Sequence, residues 1–165
     1  MRSDDLVPLD VAGVRRHLPG EDLVVLLHEP ARRLVLPIVV GPAEATSIAV
    51  AVEGVVPVRP LTHDLLCSVI EATGNAIDHV EITQLLDGVF HAALVLASGV
   101  RIDSRASDAI GVAVRTGSPV LCQVAVLEVA GVEAVDDDED DEVERFREFL
   151  EGIEPEDFEG DEPSP

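Results

Sequence analysis

The sequence predicts an α+β fold of mixed or antiparallel strands with short helices, followed by an acidic helical tail. Three observations predict it. Apolar runs of strand length, rich in Val and Leu, recur between turn residues. Short Ala/Val-rich segments open on Pro, Thr or Ser with an acid nearby and close on Gly, the punctuation of short helices. Asp87-Gly88, set between two apolar runs, is the strongest hairpin signal in the chain.

Taken in order, Leu6 to Arg16 and Leu23 to His28 read as strands, with Glu29-Pro30-Ala31-Arg32 as a turn. Leu34 to Val40 reads as a buried strand ending at Gly41. A helix begins at Pro42, with Glu44 near the positive end of its dipole, and stops at Gly54. Thr62 is predicted as the N-cap of a second helix, whose apolar face is Leu65, Leu66, Val69 and Ile70 and which ends at Gly74. Strands Ile77 to Leu86 and Val89 to Leu96 flank the hairpin, and a third runs from Val100 to Asp103. Ser107 is predicted to cap a helix through Asp108, Ile110 and Val114 to Arg115, closed by Gly117, and Val120 opens a last strand. Leu34 to Val58 and Val100 to Val120 share a strand, capped helix, Gly and Pro-Val pattern. Either an internal β-β-α duplication or shared capping chemistry produces that echo.

The chain has 165 residues, enough for one domain, read as residues 1–132, and an appendage, residues 133–165. It carries 33 acids and 11 bases, every base an Arg, with no Lys, Trp or Tyr. Lysine Schiff bases and phosphate-loop lysines are thereby excluded, and base stacking on aromatic rings is disfavoured. Residues 1–132 hold 16 acids and 9 bases, a balance of −7, against 17 and 2, or −15, in residues 133–165. The domain lacks a basic footprint, so phosphate chemistry here needs a few placed arginines or a metal ion. After the acidic run Asp136 to Glu142, Val143, Phe146, Phe149, Leu150 and Ile153 fall at helical spacing. No stretch reads as a signal peptide or membrane span. Cys67 and Cys122 read as reduced core residues of a cytoplasmic protein.

Three segments together resemble the bifunctional nuclease family. They are Arg59-Pro60-Leu61-Thr62-His63-Asp64-Leu65-Leu66, Asp87-Gly88-Val89-Phe90-His91-Ala92, and Ile102-Asp103-Ser104-Arg105-Ala106-Ser107-Asp108-Ala109-Ile110 with Arg115 after it. Leu36 to Gly41 with Glu44-Ala45, and Phe146 to Leu150 with Pro155 to Phe158, extend the match. One departure is Ala106, where the family usually has Pro. The resemblance implies an α+β fold, self-association with a dimer as the first expectation, and hydrolysis of DNA and RNA phosphodiesters.

Such hydrolysis needs a water activated by a base or a metal, charge stabilisation at the phosphoryl oxygens and a proton for the leaving oxygen. His63, Asp64, Asp103 and Asp108 are the candidate catalytic groups, and Arg59, Arg105, Ser107 and Arg115 the candidate substrate-binding groups. Each also has a structural role open to it. Asp64 and Asp108 suit helix dipoles, Ser107 a cap, Asp87 a turn, and the arginines an ion-pair network. No HxxxH, HxH or paired-Cys pattern indicates a structural zinc, which leaves Mg²⁺ or Mn²⁺ held weakly on carboxylates and no organic cofactor. The leading expectation is a homo-oligomeric nuclease with little sequence preference. The rival is a non-catalytic binding or regulatory module that keeps the same residues for structure.

Overall fold

The computed structural model describes residues 5–17 and 19–134; the acidic run and the helix expected at 143–153 lie outside them. Strands β1 (Leu6–His17), β2 (Asp22–Glu29) and β3 (Leu34–Val40) form an antiparallel meander and lead into helix α1 (Pro42–Val52). After helix α2 (Thr62–Ala72) the order repeats. Strands β4 (Ile77–Leu86), β5 (Val89–Leu96) and β6 (Arg101–Arg105) form a second meander and lead into α3 (Ala106–Thr116). Strand β7 (Val120–Gln123), helix α4 (Val124–Ala130) and strand β8 (Val132–Glu133) follow.

Among the described residues the strands make one sheet, ordered β6-β5-β4-β7-β1-β2-β3-β8. β7 joins the halves. It runs parallel to β4, with Val80 opposite Val120, and antiparallel to β1, with Leu9 opposite Val120. Hydrophobic alternation fixes which face is buried. Val25 and Leu27 on β2 lie opposite Ile38 and Leu36 on β3, and all four enter the core. Val80, Ile82, Ala92 and Leu94 do the same in the second half, against Ile48 of α1 and Ala109, Ile110 and Val112 of α3. Each large aliphatic side chain buried this way contributes about 1.5–3 kcal/mol relative to its exposed state.

Asp87 and Gly88, with φ of 48° and 78°, form the tight turn between β4 and β5, because the primed turn that matches strand twist needs positive φ at both central residues. The turn after β2 is held by Glu29, whose buried carboxylate accepts the backbone N–H groups of Ala31 and Arg32.

Several boundaries differ from the sequence expectation. Ser107 does not cap α3: Arg105 holds the N-cap position and Ser107 is the second helical residue. Thr62 is the first residue of α2, after Leu61 at the N-cap, and Asp64 turns back to accept the Leu61 N–H at 2.8 Å. β6 runs from Arg101 to Arg105, starting one residue and ending two residues later than predicted, and pairs with His91 to Val95 of β5. α4 and β8 are additional to the sequence expectation, which ends with the strand that Val120 opens; α4 buries Val126 and Leu127. The expected apolar face of α2 is mostly open, with Leu65 57% and Val69 50% exposed, and Ile70 is its buried member. Cys122 is buried and Cys67 half-buried, both as free thiols, and burial pushes the Cys122 thiol up to about 12.

Candidate functional site

His63 enters the molecule from the first turn of α2 and is buried between α1 and α3. Space for its ring comes from α3. A Cβ on Gly111 would sit 2.9 Å from both Cδ2 and Nε2 of the imidazole, inside contact distance. Both ring nitrogens are engaged. Nδ1 lies 2.7 Å from Oγ of Ser47, and Nε2 lies 3.0 Å from Oδ1 of Asp108.

Proton positions follow from the partners. A neutral ring must carry its proton on Nε2, since a bare Nε2 would oppose the Asp108 carboxylate. Nδ1 then accepts the hydroxyl proton of Ser47. The Ser47 oxygen in turn receives an N–H from Nη2 of Arg115 at 2.9 Å. Arg115 is buried and uses its whole fork. Nε donates to Asp64 at 2.7 Å, Nη1 to the Gly111 carbonyl at 3.0 Å, and Nη2 also to the Ser47 carbonyl at 3.1 Å. A continuous path runs from Asp64 through Arg115, Ser47 and His63 to Asp108.

Arg105 closes the outer end. Its Nε and Nη2 bind Asp108 at 2.7 and 3.0 Å, and Nη2 reaches Glu44 of α1 at 3.0 Å. None of these bonds uses Nη1, and the side chain is 65% exposed. Burial raises the Asp108 carboxyl, but hydrogen bonds from Arg105 and His63 outweigh it and hold the group below its ordinary range. Asp64 is lowered likewise: burial opposes, and the Leu61 N–H and Arg115 prevail. Glu44 is lowered by its own backbone N–H and by Arg105.

These groups border a cleft of about 1020 Å³ lined by α1, α2, β6 and the start of α3. Its polar lining includes Ser47, His63, Arg105 and Asp108, and its apolar lining Leu66, Ile70 and Ile102. Of the residues singled out from sequence, His63, Asp108, Asp64, Arg105 and Arg115 are joined in one network. Asp103 borders the cleft without a hydrogen bond or ion pair among the described residues, and strand alternation sets it on the opposite sheet face from Ile102 and Ser104. Ser107 lines a separate groove beside Gly88 and Phe90. Arg59 stands exposed on the loop before α2, without a partner among the described residues. Sequence reading missed Ser47, Gly111 and, as a site residue, Glu44. Helix numbering holds the one available signal: Glu44 and Asp108 are both third in their helices, and Ser47 and Gly111 both sixth.

A second polar cluster lies outside this cleft. Glu81 is buried on β4 and takes both Arg101 nitrogens at 2.9 and 2.6 Å, while His79 bridges Glu81 and Asp78 at 2.8 and 2.6 Å. Among the described residues no three His, Cys, Asp or Glu side chains are grouped to hold a metal ion. No helix among them is long and apolar enough to cross a membrane.

A mixed sheet built from two meander-plus-helix halves, with a His–Asp pair and an arginine on a cleft, defines an α+β protein. Residues 25–135 match the bifunctional nuclease domain, and the chain belongs to that family. Uncharacterized proteins from two strains of Mycobacterium tuberculosis are 38% identical to it over 156 residues, which cover 90% of this chain and 95% of theirs.

Proposed function

We propose that this chain hydrolyses phosphodiester bonds of DNA or RNA with little sequence preference, at the cleft where His63 and Asp108 meet Arg105. Family membership supports the reaction class. The observation that carries the site is the His63–Asp108 hydrogen bond on the wall of a cleft with Arg105 alongside. His63 is the proton-handling group. Asp108 orients the ring and stabilises the imidazolium that forms when it takes a proton. Arg105 presents Nη1 to a phosphoryl oxygen and, as it shifts onto phosphate, frees Asp108 to pair with that imidazolium. Arg115 acts through Ser47, and Asp64 through Arg115. This reading assigns Arg59 and Ser107, which lie outside the cleft lining, to flanking phosphates of a longer strand, and Asp103 to the cleft border. Both Asp108 oxygens are engaged by Arg105 and His63, and a weakly held Mg²⁺ or Mn²⁺ on other cleft carboxylates is left to the assay. No step is therefore routed through a metal.

In this reading the protein works in the cytoplasm as a homo-oligomer, with a dimer the first state to test by light scattering. A test of the activity uses labelled single-stranded DNA, duplex DNA and RNA, with EDTA, Mg²⁺, Mn²⁺ or Ca²⁺, over a range of pH. Cleavage that falls on the order of 10²-fold or more in Asp108→Asn is expected. Intact substrates under every condition would overturn the reading.

One observation favours a second reading, a non-catalytic oligomeric binding module. Glu44, Asp64 and Asp108 are each paired with an arginine, as in a network that fastens three helices together. Nucleic acid binding without cleavage, unchanged by Asp108→Asn, would mark that case.

A further inference from the structure

We infer that Ser47 is the nucleophile of the phosphodiesterase, attacking phosphorus to form a covalent phosphoseryl intermediate. The inference rests on the proposed activity and goes beyond it by naming the attacking atom and the number of chemical steps. It follows from how the imidazole is spent. A base that activates water must offer water a free nitrogen, and His63 has none: Nε2 is committed to Asp108 and Nδ1 to Ser47. The hydroxyl in contact with the base is that of Ser47, at 2.7 Å, the distance of a short, well-made hydrogen bond.

The surroundings of that oxygen are those of an activated nucleophile. Arg115 has donors only, so the 2.9 Å contact from Nη2 places an N–H on the Ser47 oxygen and leaves the hydroxyl proton to point at His63. The same guanidinium stabilises an alkoxide as the proton leaves. Nucleophile, base and orienting acid are thus supplied by α1, α2 and α3 in turn, with the ring nitrogens used in the opposite sense to a serine protease, Nδ1 toward the serine. Ser47 is itself buried, 7% exposed, and borders the cleft that Arg105 also lines, so substrate has to reach its oxygen from that cleft.

The reaction balances in two displacements. In the first, the Ser47 oxygen bonds to phosphorus as the bond from phosphorus to the leaving oxygen breaks. The Ser47 proton passes to Nδ1 of His63, 2.7 Å away, and the leaving oxygen, on the far side of phosphorus, takes its proton from solvent. In the second, water enters from the side that the leaving alcohol vacated. Its oxygen bonds to phosphorus as its proton goes to solvent, the bond to Ser47 breaks, and the serine recovers its proton from His63. The products are one alcohol and one phosphomonoester, at the expense of one water.

The deciding experiment follows the stereochemistry at phosphorus in the wild-type chain, using a phosphorothioate diester of known configuration cleaved in ¹⁸O-water. Two displacements give retention, whereas direct attack by water gives inversion. Acid quenching during turnover of a 4-nitrophenyl thymidine phosphodiester is expected to trap the nucleotidyl mass on the peptide containing Ser47. Ser47→Ala should lower cleavage on the order of 10³-fold or more. Inversion, or a Ser47→Ala protein that retains a tenth of the activity, overturns the covalent step while leaving the nuclease reading in place. Absence of any cleavage by the wild type removes both. Because the stereochemical arm uses the unaltered chain, a folding defect in the variant cannot mimic the result.

Discussion

Replacing Gly111 with Ala should destabilise the protein, although helix propensity alone says the opposite. Gly to Ala inside a helix gains about 1 kcal/mol. Here the new methyl would lie 2.9 Å from two ring atoms of His63, and the ring is pinned on both sides by bonds of 2.7 and 3.0 Å. Moving it costs about 1–3 kcal/mol in overpacking, plus about 1 kcal/mol for each hydrogen bond loosened. The balance is a loss of about 2 kcal/mol, or roughly 4–8 °C in Tm for a chain of this size. Calorimetry on wild type and variant measures it directly. The sign should reverse in a His63→Ala background, where the methyl fills vacated space and the propensity gain remains. A rise of about 2–4 °C in the otherwise native chain would refute the packing of His63 against Gly111.

Arg115→Lys should cost about 2–4 kcal/mol in urea unfolding, because an ammonium cannot reach Asp64, Ser47 and the Gly111 carbonyl together; a loss below about 1 kcal/mol would contradict the fork geometry. Burial pulls the His79 imidazole down, but hydrogen bonds to Asp78 and Glu81 outweigh it and raise it above its ordinary value. The charged bridge therefore adds stability in full below about pH 6.5, and that increment disappears as pH climbs through the raised folded-state value. The Tm gap between wild type and His79→Gln should accordingly narrow from pH 6 to pH 9, and a widening gap would count against the bridge.

What the residues reveal on reading is mainly local. Strands β3, β4 and β5 match their predicted bounds, because continuous or alternating apolar runs end at Gly41, Asp87-Gly88 and the Ser98-Gly99 turn. The repeated meander-plus-helix order also shows in the capping pattern around Glu44 and Asp108. What escaped depends on distance. Ser47 meets His63 across 16 positions and Arg115 across 68, and nothing near a serine set among Ala, Ile and Val announces either partner. The residue type of Gly111 makes sense only once a ring from another helix rests on it. Leu65 and Val69 keep helical spacing but face outward, so periodicity marked a helix without saying what covers it. Arg101 was not singled out, since its partner Glu81 is two strands away in the sheet.

The position of β7 has a consequence for how the chain is made. Each meander is closed by short turns and can collapse as soon as its own residues leave the ribosome. β1 cannot find its second neighbour then, since Leu6 to Leu9 pair with Val120 to Gln123, more than a hundred residues later. Through most of synthesis the growing chain carries an open strand edge at its front, an edge that another nascent copy could also recognise. The four residues of β7 act as a keystone, and the time taken to reach them sets how long that edge stays exposed.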